Sequence, residues 1–213
     1  MKLYNYWRSS ASWRVRIALN YKGLSYEYAP IHIVDHQQDA PEYKAKNPMA
    51  QVPTLELSYG ERTIRLGQSL AIIEFLDEQH PMPRLFPSDP FLRARCRQLA
   101  EIVNAGIQPF QNLPALAYVR DELGGDDRAF AKRWNARGLE ALEKLVPETA
   151  STFCIGDQPS VADLCLVPQI YSARRFEVDL ASFPTLLRIE AACNEHPAFI
   201  AAHPDRQPDA PRT

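Results

Sequence analysis

Three serines and two arginines lie close together near the start of the chain, in the stretch Arg8–Arg14. An alternating pattern before it predicts a strand over Lys2–Trp7, and a helical pattern continues after it through Val15–Lys22. The serines therefore lie where a helix begins, next to unpaired N–H groups and the positive end of the helix dipole. The pattern predicts a site that stabilises a negative charge on a bound molecule. An ordinary serine cap on a helix without a ligand explains the same residues about equally well.

A second group of candidate residues surrounds the predicted third strand. Proline opens this strand after a loop, so Val52-Pro53 is a candidate cis peptide that would turn the Val52 main chain outward, towards an extended peptide. An ordinary trans proline at a strand start is the alternative. Gln68-Ser69 precedes a predicted helix, where Ser69 is a natural N-cap or part of a carboxylate site. Two helix N-termini and one exposed strand start suit a short anionic peptide whose thiol lies at the first helix.

The overall composition excludes several other functions. Net charge is −2, with 24 basic and 26 acidic residues, which gives no case for nucleic acid or a membrane surface as partner. The chain begins with strand-like sequence, so we expect neither a signal peptide nor a membrane span. The four cysteines form no C-x-x-C pair and the five histidines do not cluster. They predict buried thiols in a cytoplasmic protein and no metal site.

The elements that position these residues fall into two predicted domains. Residues 1–82 read β-α-β-α-β-β-α, and 88–213 read as all-helical. Four prolines within residues 80–90 predict a linker between them. In the second domain, Ser160 and Asp163 resemble a capping box that opens a buried helix, which Pro168 should kink. A last helix is predicted over Pro184–Asn194.

The order of elements resembles a thioredoxin-like domain followed by an all-α domain, as in glutathione transferases. The run from Ser9 to Leu19 (Ser-Ser-x-Ser-Trp-Arg-Val-Arg-Ile-Ala-Leu) is similar to the zeta class of that family. Further similar segments extend over nearly all 213 residues; they are Asn47–Leu55, Gln68–Glu74, Gln108–Asn112, Ala162–Gln169, Arg175–Leu180 and His203–Asp209.

The resemblance implies glutathione as cofactor and assigns residues to it. Ser9 would face the sulfur, with Ser10 and the stretch Ala11, Ser12, Trp13 and Arg14 nearby. Val52-Pro53 would pair with the cysteinyl backbone, Gln68 and Ser69 would hold the γ-glutamyl end, and Gln38 would reach the glycyl end. Gln108, Asn112 and Leu113 would come from the helical domain. The family motif usually has cysteine where this chain has Ala11, so no protein thiol takes part at this turn.

The implied reaction is glutathione-dependent cis–trans isomerisation of a maleyl to a fumaryl keto acid, as in tyrosine breakdown. Maleylacetoacetate and maleylpyruvate both remain open as substrates. Arg8 and Arg175 are candidates for gripping a dicarboxylate, with Arg8 and Ser10 also close to the chemistry; Arg174 is a weaker candidate. Without the resemblance, Arg174 and Arg175 read as a solvated helix end. A cytoplasmic homodimer is expected from the family. The alternatives are a transferase or dehalogenase of small α-halo acids, and a protein that only binds glutathione or a protein partner.

Overall fold

The computed structural model describes residues 1–211, which form two compact units. The first unit combines residues 1–84 with the segment that begins at His196. The second unit is Leu85–Glu195. The break between Arg84 and Leu85 falls inside the proline-rich stretch that the sequence predicts to be a linker.

A four-stranded mixed sheet forms the basis of the first unit. Its elements are β1 (Lys2–Asn5), α1 (Ser10–Tyr21), β2 (Glu27–Pro30), α2 (Pro41–Lys44), β3 (Thr54–Tyr59), β4 (Arg62–Gly67) and α3 (Ser69–Gln79). The strands lie in the order β2-β1-β3-β4, with β1 parallel to β2 and antiparallel to β3, and β3 antiparallel to β4. Along the chain, the elements follow the predicted order β-α-β-α-β-β-α of a thioredoxin-like domain, which is confirmed.

Apolar residues from the strands and helices make the core of this unit. Leu3 of β1, Leu55 of β3, Ile17 of α1 and Ile72 of α3 are all fully buried. Burying one such side chain stabilises the fold by about 1.5–3 kcal/mol. The core fixes α1 and α3 against each other, so both helix N-termini are held by the same packed interior.

The end of α1 is held by a buried lysine. Lys22 Nζ lies 2.8 Å from Asp77 Oδ1, and it donates to the carbonyls of His80 and Pro83 at 2.7 and 2.8 Å. Gly23, the predicted cap, follows with a left-handed φ of 65°, which favours glycine because it lacks Cβ. This corner therefore fixes the far end of the helix whose start carries the serines.

Helices make up most of the second unit. They are α4 (Pro90–Asn104), α5 (Leu113–Ala117), α6 (Asp127–Leu145), α7 (Val161–Arg175) and α8 (Pro184–Glu195). The predicted capping box is confirmed: Ser160 and Asp163 satisfy each other's main-chain N–H groups at the start of α7. Helix α7 runs through the middle of this unit, since every residue from Val161 to Ile170 is buried.

The segment that begins at His196 packs differently from its prediction. The sequence assigned it to an all-helical domain 88–213, whose last two residues lie outside the described part. It contains an unpredicted helix, α9 (Pro197–Ala202), and packs against α1 in the first unit. The physical reason is Arg16, a fully buried residue of α1 that donates from Nε and Nη2 to the Ala202 carbonyl at 3.3 and 3.2 Å.

Two smaller differences concern helix starts and lengths. Ser69 is the first residue of α3 and Gln68 is its N-cap, so the prediction of Ser69 as N-cap is wrong. Helix α5 was not predicted because five residues carry too short a periodic signal.

Within residues 1–211 no helix combines the length and the apolar character needed to cross a bilayer.

Candidate active site

Ser9 caps the first helix, where the sequence predicted a serine cap without choosing among the three serines. Its main chain is extended, with φ −67° and ψ 119°, and its Oγ accepts the Ser12 N–H at 3.2 Å. Its own N–H donates to the Tyr6 carbonyl at 3.1 Å and closes a turn. A hydroxyl also has one proton to donate, and no residue among 1–211 accepts the proton of Ser9. Ser9 therefore has a donor available for a bound anion.

The other residues of this turn differ in what they can offer. The N–H groups of Ser10 and Ala11 have no acceptor in the described part of the chain, as expected for a first helical turn. The N–H groups of Ser12 and Trp13 are already bonded to Ser9, and both side chains are buried. Direct donors at this turn thus come from Ser9, Ser10 and Ala11.

The two arginines of the turn have separate positions. Arg14 is fully buried, and its Nη1 donates to Ser69 Oγ at 3.2 Å. It therefore joins the starts of α1 and α3 inside the protein. Arg8 is half-buried, with its guanidinium carbon 5.4 Å from the centre of the Trp7 ring in a cation–π contact. Of the two, Arg8 is the one with surface to offer a ligand.

The main chain of Gln68, the N-cap of α3, has a conformation that residues other than glycine rarely adopt. Its φ is 66° and its ψ 114°, while its side chain is exposed. Such backbone strain costs on the order of 1–3 kcal/mol and clusters at ligand sites. Ser69 beside it is buried and bonded to Arg14. The exposed amide of Gln68 and the start of α3 are therefore the groups available at this second helix N-terminus.

The peptide bond between Val52 and Pro53 is cis, so the sequence-based candidate is confirmed. Within residues 1–211 neither the N–H nor the carbonyl of Val52 has a hydrogen-bond partner. The preceding carbonyl, that of Gln51, accepts from Tyr43 Oη at 2.7 Å and from Asn47 Nδ2 at 2.8 Å. The main chain at Val52 is thus held firmly yet left available to an extended peptide.

Tyr43 and Asn47 are positioning residues that the sequence reasoning missed. Both also contact Thr54 Oγ1, at 2.9 and 3.1 Å, and all three side chains are buried. Asn47 opens one of the segments on which the resemblance rests, which was the available signal. Tyr43 is a single aromatic in a short helix and gave no such signal.

Gln38 lies in a short 3-10 turn, Gln37–Asp39. Its Nε2 donates to Asp39 Oδ2 at 3.2 Å. Its Oε1 is buried and has no partner among the described residues. The side chain thus retains one unused acceptor.

The predicted residues of the second unit lie around a short turn, Gln108–Gln111, before α5. Gln111 exchanges hydrogen bonds with Gln169 at 3.2 Å and accepts one from Asn135 at 2.8 Å. Both partners are fully buried. This network fixes the turn that carries Gln108 and precedes the other two predicted residues. Asn112 is the N-cap of α5 without a side-chain cap bond, and Leu113 is 49% exposed.

The arginine pair at the end of α7 separates into two roles. Arg174 forms a two-pronged ion pair with Glu190, a buried residue of α8. This ion pair holds α7 to α8, so both Nη atoms of Arg174 are used in a structural contact and Arg174 is not proposed as a substrate ligand. Arg175 is exposed, and its guanidinium carbon lies 5.9 Å from the Phe176 ring centre.

Comparison with known proteins shows the family to which this chain belongs. Residues 3–84 match the family model of the glutathione S-transferase N-terminal domain. Maleylacetoacetate isomerase of Rattus norvegicus is 46% identical over 211 residues, which cover 98% of this chain and 94% of the relative. The structure of a bacterial maleylpyruvate isomerase, described as a zeta-class glutathione S-transferase, is 43% identical, with a TM-score of 0.93 and coverage of 99% and 100%. The chain belongs to the zeta class of the glutathione transferase family.

A further zeta-type relative has known ligands. The structure of maleylacetoacetate isomerase from Anaeromyxobacter dehalogenans 2CP-1 is 51% identical, covers 99% of this chain and 97% of its own, and has a TM-score of 0.92. It holds glutathione in its active site. A second structure of that protein holds dicarboxyethyl glutathione and citrate there, at a TM-score of 0.92.

Three of the four cysteines in this zeta-class chain have thiols that stay protonated at neutral pH. All four are buried, and none of them forms a disulfide. Burial raises the pKa of Cys96 to about 12 and also raises the pKa of Cys154 and Cys193. A thiol is a nucleophile only as its thiolate, so these three stay unreactive at neutral pH. In the described part of the chain no cluster of three metal-binding side chains occurs. The groups at the candidate site are therefore hydroxyl, amide and guanidinium donors.

Proposed function

We propose that this protein is a glutathione-dependent cis–trans isomerase that converts a maleyl keto acid into its fumaryl isomer. One observation carries the proposal: the Ser9 hydroxyl has an uncommitted proton at the start of α1, beside the uncommitted N–H groups of Ser10 and Ala11. Three donors at a helix N-terminus favour an anion over its protonated form. The zeta-class relatives named as isomerases support the same reaction.

The donor set fits glutathione as the cofactor. The main chain of Val52 would pair with its cysteinyl residue, since both polar groups of Val52 lack partners among the described residues. Gln68 and the start of α3 would hold the γ-glutamyl end, with Ser69 acting from inside through Arg14. The unused acceptor of Gln38 would take a hydrogen bond from the glycyl N–H of glutathione. Gln108, Asn112 and Leu113 are proposed as contributions of the second unit.

When bound, glutathione would supply a thiolate for reversible addition to the maleyl double bond, which makes that bond single and free to rotate and returns the glutathione unchanged. The Ser9 hydroxyl donates to the sulfur, while the helix start and nearby N–H groups lower the cost of its charge. Arg8 would stabilise the negative charge that develops on the substrate carbonyl, as a preorganised cation does. Arg175 binds the distal carboxylate, because a guanidinium can bond both its oxygens.

The direct test offers the purified protein maleylacetoacetate or maleylpyruvate, with and without glutathione. We expect a trans product that forms only with glutathione and leaves the glutathione concentration unchanged. The ratio of kcat/KM for the two keto acids decides the substrate. Glutathione consumed together with halide release from a small α-halo acid, without isomerisation, would favour the dehalogenase instead. Binding of glutathione without either reaction would indicate a binding protein.

Replacing Arg175 tests the proposed substrate grip. We expect Arg175→Ala to raise KM for the keto acid by about 10- to 100-fold, equivalent to the about 1.5–3 kcal/mol of a charged hydrogen bond, at unchanged glutathione affinity. Arg175→Lys should recover only part of this, because ammonium lacks the planar fork. Steady-state kinetics measure the change. Arg8→Ala should differ from Arg175→Ala by lowering kcat in addition to raising KM.

The matched control for Arg175 is Arg133→Ala, an exposed arginine on α6 of the same unit. It removes one positive charge and should leave KM unaltered. Equal, small effects of the changes at positions 8, 175 and 133 would mean that these arginines are only solvated surface charges. The carboxylate site would then lie elsewhere.

We further propose a cytoplasmic homodimer, from membership of the glutathione transferase family. Light scattering at micromolar concentration should give twice the chain mass of 24.2 kDa. A value of one chain mass would contradict the dimer. The four buried cysteines, none of them in a disulfide, support a reducing compartment, since disulfides are rare there.

A further inference from the structure

We propose that Asp209, together with Arg16, is a positioning residue for the Ser9 hydroxyl. Both act on the turn Tyr6–Ser9, which the hydrogen bond from Ser9 N–H to the Tyr6 carbonyl closes at 3.1 Å. The inference rests on the proposed function only in taking Ser9 as the donor to the sulfur. It gives the segment that begins at His196 a role in holding this turn.

Asp209 holds one side of the turn. Its Oδ2 accepts the Trp7 N–H at 3.0 Å, and its Oδ1 accepts the hydroxyl of Tyr28 in a short hydrogen bond. Tyr28 belongs to β2, so the carboxylate is itself anchored to the sheet. Burial and the bond to Asp209 raise the pKa of Tyr28, which keeps its proton on the donor side of that bond.

Arg16 holds the other side of the same peptide units. Its Nη2 donates to the Trp7 carbonyl at 2.7 Å, and its Nη1 donates to the Tyr6 carbonyl at 3.2 Å. The main-chain N–H and the main-chain carbonyl of Trp7 are therefore both bonded to charged side chains, two residues before Ser9. The Tyr6 carbonyl receives the Arg16 guanidinium and the Ser9 N–H together. A shift of this turn must move Ser9 with it.

The segment that carries Asp209 is fixed in turn. Gln207 donates from Nε2 to the carbonyls of Ala201 and His203, at 3.0 and 2.8 Å, and is buried. Arg16 bonds the Ala202 carbonyl from Nε and Nη2. Burial lowers the pKa of Arg16 to about 10, so it stays charged at neutral pH, and Tyr28, Tyr26 and Asp209 each raise that pKa in part. The two charges act as one support for the turn.

Two effects of removing Asp209 have opposite signs, which makes the inference testable. Loss of a negative charge alone would ease ionisation of a nearby thiol and lower its pKa. Misplacing the Ser9 donor would raise that pKa and lower kcat, because even small displacements of a donor are costly. A purely structural role would move neither quantity and would appear only in stability.

The experiment compares the full-length chain with Asp209→Ala, Asp209→Asn and Tyr28→Phe. In the protein without glutathione, amide exchange at Trp7 should become at least about tenfold faster in Asp209→Ala, because its N–H loses its acceptor. With glutathione bound, the thiol pKa should rise by about one unit and kcat should fall about tenfold, at little change in KM for glutathione. Asp209→Asn keeps one acceptor and should recover part of each change.

Tyr28→Phe is the matched control, because it removes the other hydrogen bond of the same carboxylate and leaves the Trp7 contact. It should change Trp7 exchange, thiol pKa and kcat clearly less than Asp209→Ala does, because the Trp7 N–H keeps its acceptor. Should Asp209→Ala fail to fold, Asp209→Asn must still show the same directions at smaller size. An unchanged or lowered thiol pKa in the folded variants, or equal effects of Tyr28→Phe, would overturn this inference. A wild-type protein that does not ionise bound glutathione would overturn the proposed function itself.

Discussion

Ser9→Ala is expected to lower kcat on the order of 100-fold, the usual loss when one preorganised donor to a developing anion is removed. The affinity for glutathione should change little, because the hydroxyl serves the sulfur and other residues hold the peptide. The pKa of the bound thiol should rise, since the thiolate loses a hydrogen bond that favours it. Turnover and a pH titration of thiolate absorbance measure the two effects on one sample.

Ser9→Ala also removes a helix cap, so a control must separate the loss of the donor from the loss of stability. Ser9 Oγ also accepts the Ser12 N–H, so alanine removes the helix cap and costs about 1 kcal/mol of stability. Ser9→Asp keeps a capping acceptor but sets a negative charge beside the sulfur. It should restore stability while leaving kcat low and the thiol pKa raised further. Wild-type kcat and thiol pKa in Ser9→Ala would transfer the donor role to Ser10.

Asp163→Ala is expected to give the largest loss of stability, about 3–5 kcal/mol, as when one partner of a buried charged network is removed. The carboxylate is fully buried and accepts three hydrogen bonds, from Cys154 N, Ser160 N and Ser160 Oγ at 2.8, 2.8 and 2.7 Å. Burial raises the pKa of Asp163, while these bonds pull it down. Alanine leaves buried donors without acceptors at the start of α7, the most buried helix of its unit.

Urea unfolding followed by circular dichroism measures this loss. Asp126→Ala is the matched control, because Asp126 caps α6 by accepting the Ala129 N–H at 2.9 Å from an exposed position. Water can replace an exposed cap, so this change should cost only about 1 kcal/mol. Equal losses for the two variants would show that burial adds nothing to the capping box.

Features set by neighbouring residues could be predicted from the sequence. A serine cap before α1, the cap at Ser160, the helix end at Gly23 and the order of strands and helices all depend on residues a few positions apart. The same holds for the cis bond before Pro53, which was one of two open alternatives. Local backbone chemistry decides such features, so a short window of sequence contains the needed information.

Features that join distant parts of the chain could not be predicted. The bond from Arg14 to Ser69 spans 55 positions, and that from Arg16 to Ala202 spans 186. Nothing in either neighbourhood indicates which acceptor a buried guanidinium will find. For this reason Arg14 was read as a flank of the anion site, and the end of the chain was assigned to the helical domain. The partner of Arg174, Glu190, was missed on the same grounds.

The first unit is discontinuous along the chain, and this affects the order in which the protein can form during synthesis. Domains usually fold as units, with the N-terminal one first while the ribosome is still translating. Here Arg16 lacks its Ala202 acceptor, and Trp7 lacks Asp209, until the segment that begins at His196 has left the ribosomal tunnel. The helical unit, Leu85–Glu195, precedes that segment and is synthesised earlier. The unit that begins the chain is therefore completed only after the helical unit, and a chain stopped at Glu195 would leave the Arg16 guanidinium without the Ala202 carbonyl.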